Sequence, residues 1–373
     1  MAEKYSLKDD LFNEGTVGYL AGLFQAVDPS FPAQTFRDQV LARFPELELK
    51  QRIDHIATVL ETFLPSDFLQ AAERIRDALP MPLDPTLQDD DFGRFIFAPL
   101  GEYVVNNGLE NHRNVSLDLL EALTQRFSME FAIRPFLNRW PDEVLERMSD
   151  WVTHDHYHVR RLVSEGCRPK LPWGMKIGLK AEQPLPFLHQ LHSDPTRFVT
   201  RSVANHLNDI SKSDPDTVVN TLKTWQGLNQ QNAKELDWMT RHALRGLVKK
   251  GHAGALEFLG YRSDPDVSVV YLKSDRDSLP IGDSFTFEAR LKAGANEALM
   301  VDYVVDFVKA NGSTAPKVFK LKQVKMKAGE ELTLTKKHLF KKGATTFTHY
   351  PGEQRLSLQV NGIVLAGFYF TLT

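Results

Sequence analysis

The chain has little of what would build a disulfide framework or a membrane span. Cys167 is the only cysteine among 373 residues, which excludes an internal disulfide and any multi-cysteine metal site. No run of apolar residues approaches the length that crosses a bilayer. The first residues lack a basic start followed by an apolar run, so we expect no secretory signal. These absences favour a protein of the reducing cytoplasm.

Charge is distributed unevenly along the chain. The formal net charge is −3, but residues 1–149 carry −11, residues 150–266 carry +3 and residues 267–373 carry +5. A polyanion is attracted to the positive segments and repelled by the negative one. The last two thirds are therefore the part expected to face an anionic partner.

Up to about residue 260 the apolar residues follow a helical period. Leu49, Ile53, Ile56 and Leu60 fall on one stripe of a helix. The segment Pro65–Asp67 then ends that helix and begins the next. The pattern predicts short helices separated by proline, glycine and aspartate.

Some of these helices recur at a constant offset. Arg161, Arg201 and Arg241 are spaced by 40 residues, and each lies in a segment with the same apolar phase. One further step back reaches Leu119–Gln125, which shares that phase. Partner helices are expected in between, at Pro141–Thr153, Pro184–Leu191 and Asp214–Gly227. A period near 40 residues is typical of HEAT-like solenoids.

After Gly260 the pattern changes to short alternating runs rich in Val, Phe, Thr and Tyr. The runs are Ser284–Leu291, Met300–Val308, Lys317–Lys322, Leu332–Thr335, Arg355–Val360 and Val364–Leu372. They predict an all-β module of about seven strands, without an inter-sheet disulfide. The predicted fold class is mainly α: a HEAT-like α-helical solenoid over residues 1–262, then a C-terminal all-β immunoglobulin-like sandwich over residues 266–373.

The helical phase assigns the repeated polar residues to one surface. Val199, Val203, Leu207 and Ile210 form an apolar stripe, and residues two positions away point to the opposite side. The polar row comprises Glu121, Gln125, Arg161, Glu165, Arg168, Arg201, Asn205, Asn208, Arg241, Arg245 and Lys249. Stacked repeats bring such rows together into a groove that suits a phosphate backbone. For the arginines at the 40-residue positions, structural ion pairing with the next repeat is the alternative.

A loop between the second and third repeats interrupts the scaffold. The segment Gly166–Gly174 holds two prolines, the cations Arg168 and Lys170, and Trp173. Loops that interrupt a scaffold often carry function, and an aromatic ring beside cations suits stacking on a base or its sugar. The alternative is that Trp173 fills a gap between repeats.

These residues together resemble the alkylpurine DNA glycosylase superfamily built on HEAT-like repeats, specifically its AlkC branch. The similar segments are Leu47–Ile56, His158–Gly166, Arg168–Gly174, Arg201–Ile210, Arg241–Arg245 and Lys249–Gly251. The resemblance implies a monofunctional glycosylase that excises 3-methyladenine, and as a further candidate 3-methylcytosine, from duplex DNA without flipping the base. It implies the first step of base excision repair, a monomer acting at the bacterial nucleoid, and no cofactor. Some members carry a C-terminal immunoglobulin-like domain.

The residue chemistry fits that implied activity. A cationic base leaves as a neutral molecule and needs no general acid, so the remaining task is to stabilise an oxocarbenium-like sugar and orient a water. Glu121 and Glu165 are the acids of the polar row, and Trp173 is expected to contact the sugar or the base. Asp155 is assigned mainly to an N-cap, with a direct catalytic role as the alternative. Asp209 carries the same ambiguity.

Further cations complete the predicted DNA interface. Arg160 and Lys170 belong to the helical part, and Lys320 and Lys322 belong to a lysine-rich run of the sandwich. For the sandwich lysines the alternative is protection of an edge strand against aggregation.

Two other interpretations of the sequence are a metal site and a scaffold without catalytic activity. His154, His156 and His158 alternate, and side chains two apart in a helix diverge, so we expect no metal site. A non-catalytic HEAT-repeat scaffold that binds nucleic acid or protein is the competing function.

Overall fold

The computed structural model of the chain describes residues 6–89, 91–343 and 347–373. Over these ranges fifteen α-helices and two short 3-10 helices precede eight strands. The chain divides into two compact units. The first unit comprises the described residues up to Ile210 together with Thr224–Ala243. The second unit comprises Ser211–Lys223 and Leu244–Thr373. Among the described residues no helix is long and apolar enough to cross a membrane.

Among the described residues the regular elements up to Phe258 are all helices, as the helical period predicts. They are α1 (Leu7–Leu11), α2 (Glu14–Val27), α3 (Ala33–Ala42), α4 (Leu49–Glu61), α5 (Phe68–Ala78), α6 (Ala98–Gly108), α7 (Arg113–Thr124), α8 (Ile133–Arg139), α9 (Pro141–Trp151), α10 (Tyr157–Gly166), α11 (Leu185–Leu191), α12 (Arg197–Ile210), α13 (Pro215–Leu228), α14 (Ala233–Lys249) and α15 (Ala253–Phe258). The repeat register is confirmed, because α7, α10, α12 and α14 lie at the 40-residue offsets. The partner helices α9, α11 and α13 lie between them.

Helix α12 is more enclosed than a one-sided amphipathic helix. Its predicted apolar stripe, including Val199 and Leu207, is fully buried. His206, Asn208 and Asp209, on other sides of the helix, are buried too. Since α10 and α11 both pack against α12, polar side chains of this helix lie inside the unit rather than on an open face.

An acidic segment lies across the repeat helices. We define it as Asp84–Asp91, of which Asp90 is outside the described residues. Just before it, the Leu83 amide donates to the Gln125 carbonyl over 2.9 Å, and within it the Gln88 carbonyl accepts from the Phe198 amide over 3.0 Å. These bonds fix the segment against the end of α7 and the start of α12.

The strands form two sheets in the second unit. They are β1 (Val267–Ser274), β2 (Ser278–Leu279), β3 (Ser284–Ala293), β4 (Glu297–Val308), β5 (Thr314–Met326), β6 (Glu331–Leu339), β7 (Gly352–Val360) and β8 (Ile363–Leu372). One sheet has the order β1-β3-β6 and the other β2-β8-β7-β4-β5. Alternating residues such as Phe285, Phe287 and Leu356 point into a shared core. The all-β prediction is confirmed, and β1 and β2 are additions to the six runs.

Two glycines of the second unit touch through their backbones. Gly251 follows α14 with a φ of +72°, and Gly362 lies between β7 and β8 with a φ of +83°. A Cβ added to Gly362 would come within 2.0 Å of the Gly251 Cα. Nearby, Gln359 Nε2 donates to the Lys249 carbonyl over 3.2 Å. The helix end and the β7–β8 hairpin are therefore in direct contact.

Candidate active site and nucleic-acid interface

Glu165 lies in a buried ionic cluster between α10 and α12. Its Oε1 accepts a hydrogen bond from Arg168 Nη1 over 2.6 Å, and Arg168 Nε donates to Asp209 Oδ2 over 3.0 Å. Glu165 is 4% exposed, Arg168 7% and Asp209 3%. Arg161 Nη2 lies 3.7 Å from the same Oε1. A buried cluster of this kind depends on every charge having its partner.

The cluster keeps its charges through mutual attraction. Burial alone would raise the pKa of Glu165, but the guanidinium groups of Arg161 and Arg168 outweigh it and lower that pKa. Burial alone would lower the pKa of Arg168, and the carboxylates of Glu165 and Asp209 reverse this and raise it. Glu165 is therefore an ionised carboxylate in the interior.

Arg161 links the cluster to the segment between α7 and α8. Its Nη1 donates to Ser128 Oγ and to Glu130 Oε2, each over 3.1 Å. Its guanidinium carbon lies 4.4 Å from the centre of the Phe198 ring. Arg161 thus contacts two acids and an aromatic face, which fixes its orientation.

Glu121 occupies a more open position. Its Oε2 accepts a hydrogen bond from the indole of Trp151 over 2.6 Å, and His154 Nε2 lies 3.5 Å from its Oε1. The side chain keeps 29% of its surface exposed. An indole on one oxygen leaves the other able to receive a hydrogen bond from a bound molecule.

The loop that carries Trp173 is held by its backbone. Trp173 is 58% exposed and has a φ of +63°, which is uncommon for a large side chain. The Lys50 ammonium donates to its carbonyl. The buried Arg134 donates to the carbonyls of Met175 over 2.6 Å and Gly166 over 2.7 Å. The ring therefore does not fill a gap between repeats; it is presented on a fixed loop.

Several predicted DNA contacts are engaged within the protein. Arg168 is in the ionic cluster and Asn208 is buried, so the prediction that both face outward is wrong. Arg160 pairs with Asp194 over 2.6 and 3.2 Å. The physical reason is that the second side of α10 and α12 is covered by other elements of the same unit.

Two arginines at the 40-residue positions pair on their own unit. Arg201 forms an ion pair with Asp89 of the acidic segment. Arg241 Nε donates to Asp237 Oδ2 over 2.8 Å, one turn away on the same helix, and both side chains are exposed. Neither of these acids lies in the next repeat, so both ion pairs differ from the pairing between repeats that was the structural alternative.

Asp155 is not the N-cap of α10. His156 takes that position, and its Nδ1 accepts from the amide of His158 over 3.2 Å. Asp155 is exposed, and its carbonyl accepts from Arg160 Nη1 over 2.8 Å. The N-cap prediction fails because α10 starts one residue later than the sequence indicates, and an imidazole nitrogen serves as well as a carboxylate.

The three alternating histidines do not share one helix, since His154 and His156 precede α10. Burial lowers the pKa of His158 to about 3, so it is neutral in the folded protein. In the described ranges no group of three or more His, Cys, Asp or Glu side chains is placed to hold a metal ion.

The remaining predicted contacts are more accessible. Those with exposed side chains are Lys170, Lys249, Lys320 and Lys322, whereas Asn205 and Arg245 are half-buried. Asn205 Oδ1 lies 2.9 Å from His242 Nε2. Lys320 and Lys322 lie on β5, an edge strand. Lys320 pairs across the ladder with Asp302, whose pKa burial raises to about 6 against the opposing effect of Lys320 and Lys249.

The structure also brings together residues that no sequence pattern connects. Lys50, Asp54 and Glu102 line one cavity with Trp173. These residues come from α4, α6 and the Trp173 loop, and no periodicity connects them. Arg134 has no sequence signal either, because its role depends on three backbone carbonyls, those of Gly166, Arg168 and Met175, that the fold brings to it.

Comparison with known proteins identifies both parts of the chain. Residues 121–247 match the family described as DNA alkylation repair enzyme. Residues 268–373 match the family described as the C-terminal Ig-like domain of the uncharacterised protein YhaZ. Over 359 residues the chain is 33% identical to the uncharacterized protein YhaZ of Bacillus subtilis (strain 168). The aligned region covers 95% of this chain and 96% of that relative.

A solved structure is similar over the full length. It is the Pseudomonas fluorescens alkylpurine DNA glycosylase AlkC bound to DNA containing an abasic site analog, with 32% identity and a TM-score of 0.88. The similarity covers 99% of this chain and 100% of that one. The chain therefore belongs to the DNA alkylation repair enzymes with the HEAT-like alkylpurine glycosylase fold, in their AlkC branch, and ends in an Ig-like domain.

Proposed function

We propose that the chain is a monofunctional DNA glycosylase that excises cationic N-alkylated bases, 3-methyladenine first and 3-methylcytosine second, from duplex DNA. The observation that carries this proposal is the full-length similarity to a DNA-bound alkylpurine glycosylase. In this proposal the protein acts as a monomer in the cytoplasm and starts base excision repair. Residues 1–262 form the catalytic domain and residues 266–373 the accessory domain.

The reaction suits a site built from carboxylates. The C1′–N bond breaks with its electron pair moving to the base nitrogen, so the cationic base leaves neutral. Positive charge then develops on the sugar, and a water oxygen bonds to C1′ while its proton passes to a carboxylate or to solvent. A fixed negative charge near C1′ stabilises the developing cation more than the ground state.

Glu121 and Glu165 divide this task between them. Glu121 is partly exposed and its orientation is fixed by Trp151, which suits the group that holds the water. Glu165 keeps its negative charge inside the unit, although Arg161 and Arg168 compensate part of it. We assign Glu121 as the carboxylate that touches the water and Glu165 as the weaker electrostatic contributor. A direct catalytic role for Asp155 remains only an alternative, because its side chain is exposed and is not part of the Glu121–Glu165 pair.

Trp173 supplies an exposed aromatic surface on a loop fixed by Lys50 and Arg134. Such a ring stacks on a sugar or base and attracts a cation to its face. We propose that it contacts the damaged nucleotide while the base stays in the duplex. Phosphate contacts fall to the exposed Lys170, Lys249 and Lys322, and to Arg241.

The test of this function is base release from methylated duplex DNA. The purified full-length chain is incubated with methylated DNA, free bases are identified by mass spectrometry, and abasic sites are scored by alkali cleavage. We expect 3-methyladenine release that continues in the presence of a metal chelator. A fluorescent base analogue stacked at the target position is expected to stay quenched on binding, whereas flipping would restore its emission.

The competing function is a repeat scaffold that binds DNA or protein without chemistry. It is favoured by the many arginines that are engaged in internal ion pairs. The outcome that selects it is saturable DNA binding with no released base above the level of untreated DNA. Glu146→Gln, which changes an exposed acid of α9, serves as the matched control for every carboxylate variant.

A further inference from the structure

A cavity of about 210 Å³ lies between α4, α6, α8 and the Trp173 loop. Much of its wall is apolar and aromatic, with Phe95, Met129 and Phe131 among the lining residues. Trp173 stands at the same cavity with its ring exposed. A space of this size and lining fits one flat heterocycle rather than a whole nucleotide.

Two carboxyl groups give this apolar cavity a polar edge. Burial, followed for Glu102 by the charge of Asp54, raises the pKa of both groups, and Lys50 only partly opposes this. Among the described residues no hydrogen bond reaches either carboxylate. The two carboxyl groups repel phosphate and accept hydrogen bonds from N–H donors. The edge of an adenine-type purine carries an amino group that donates such hydrogen bonds.

The cavity is connected to the proposed reaction centre. Ser128 lines it and accepts a hydrogen bond from Arg161 Nη1 over 3.1 Å. The other nitrogen of the same guanidinium, Nη2, lies 3.7 Å from Glu165 Oε1. Trp173 belongs to the cavity and to the proposed damage contact. A base that leaves the duplex beside these residues is therefore next to the cavity and can enter it.

We propose that this cavity, with Asp54 and Glu102 at its edge and Trp173 at its mouth, is the binding site for the excised base. The proposal rests on the glycosylase function proposed above. Its occupant is the free N-alkylated purine, held by its N–H donors against the two carboxyl groups and by its faces against the aromatic wall. Bound there, the neutral base is kept away from the abasic sugar until it leaves.

The experiment measures binding of free 3-methyladenine to the full-length protein by calorimetry, in the absence of DNA. We expect saturable one-to-one binding. The Asp54→Asn/Glu102→Gln variant removes both charged acceptors and should weaken it by roughly ten-fold or more. Ala98→Leu fills the cavity without changing a charge and should weaken it as well. Glu146→Gln should bind the base like the wild-type protein.

The source of the base is resolved by parallel titrations. Deoxyadenosine carries the same ring on a sugar, and an undamaged single-stranded oligonucleotide presents bases on a backbone. Weak binding of both beside tight binding of free 3-methyladenine supports the proposal. Equal or tighter binding of either ligand, lost in the same variants, overturns it in favour of a site for a base still attached to DNA.

Failure of the inference and failure of the function give different results. Excision with no 3-methyladenine binding, or with binding that both variants leave unchanged, overturns the cavity proposal alone. Base binding that depends on Asp54 and Glu102 in a protein that releases no base overturns the glycosylase proposal and, with it, the excised base as the occupant, but leaves the cavity as a site for a free purine. Cooperative thermal unfolding of each variant, at a temperature close to that of the wild type, is the condition for comparing affinities.

Discussion

Glu121 and Glu165 fall at corresponding helices of neighbouring repeats, yet their surroundings differ. Glu165 is enclosed with two guanidinium groups and accepts a hydrogen bond from Arg168, which also donates one to Asp209. Glu121 is bounded by an indole and an imidazole and stays partly open. The repeat places both carboxylates on the same side of their helices, while neighbours outside the repeat pattern decide whether the charge supports the fold or remains available for chemistry.

The largest effect is expected at the buried member. Glu165→Gln leaves Arg168 in the interior with only Asp209 as its acid, and we expect the free energy of unfolding to fall by about 3–5 kcal/mol. Urea unfolding followed by circular dichroism measures it. Adding Arg168→Met to Glu165→Gln should recover part of the loss. A Glu165→Gln protein as stable as the wild type would contradict the interpretation of the cluster as a structural element.

The second prediction concerns the open member. Glu121→Gln keeps an oxygen for the Trp151 indole, so stability should change by less than about 1 kcal/mol. The rate of base release under single-turnover conditions should fall by roughly a hundred-fold or more, with DNA affinity retained. Loss of DNA binding without a slower bound-state rate would refute the catalytic assignment of Glu121.

The third prediction uses pH to separate the two regions. Burial lowers the pKa of His206, whose Nδ1 lies 3.0 Å from the Ser164 carbonyl, to about 4. Below the ordinary histidine pKa the unfolded chain binds a proton that the folded chain does not. Stability is therefore complete above about pH 6.5 and declines as pH falls towards 4, by about 2–3 kcal/mol for this group.

Urea midpoints between pH 7.5 and 4.5 check this decline. His206→Asn, which has no proton to gain in that range, should flatten the dependence, although His158 retains its own contribution. Glu121→Gln should leave the slope unchanged, because Glu121 is not part of the His206 environment. An unchanged slope in His206→Asn would contradict the assignment of the pH dependence to this residue.

The smallest effect is expected at the acidic segment. Asp89→Asn removes a carboxylate from Arg201 and lowers the negative charge near α12, so affinity for undamaged duplex should rise a few-fold. The slope of the logarithm of DNA affinity against the logarithm of salt concentration should steepen by about one. Asp237→Asn, which removes the acid beside the exposed Arg241, is the matched control for a charge change on an open surface. A drop in affinity on Asp89→Asn would mean that the segment supports binding.

The sequence predicts the fold better than the site. The 40-residue register gives the bounds of α10 and α12 closely because apolar spacing is a local property of the chain. The same apolar phase wrongly predicts that Arg168 and Asn208 are exposed, because apolar spacing identifies only one buried side of a helix. Enclosure of the second side depends on packing partners far away in the chain, which periodicity does not contain.

Sequence patterns also predict only part of the candidate site. Glu121 and Trp173 emerge from repeat phase and loop composition, and both are accessible in the structure. The carboxyl pair of Asp54 and Glu102 has no sequence signal, because it exists only where α4 and α6 pack together. The strand β1 is missing from the sequence prediction because its Val and Tyr residues directly follow a proline- and aspartate-rich boundary.

The contact between Gly251 and Gly362 has a consequence for how the chain can change. Neither position has space for a methyl group. The turn after α14 and the β7–β8 hairpin can therefore change in sequence only if Gly251 and Gly362 both remain glycine. Substitutions elsewhere in the hairpin are unaffected. The helix end and the hairpin therefore have to evolve as one element, and a graft that replaces the β-sandwich must bring its own glycine or carry the helix end with it.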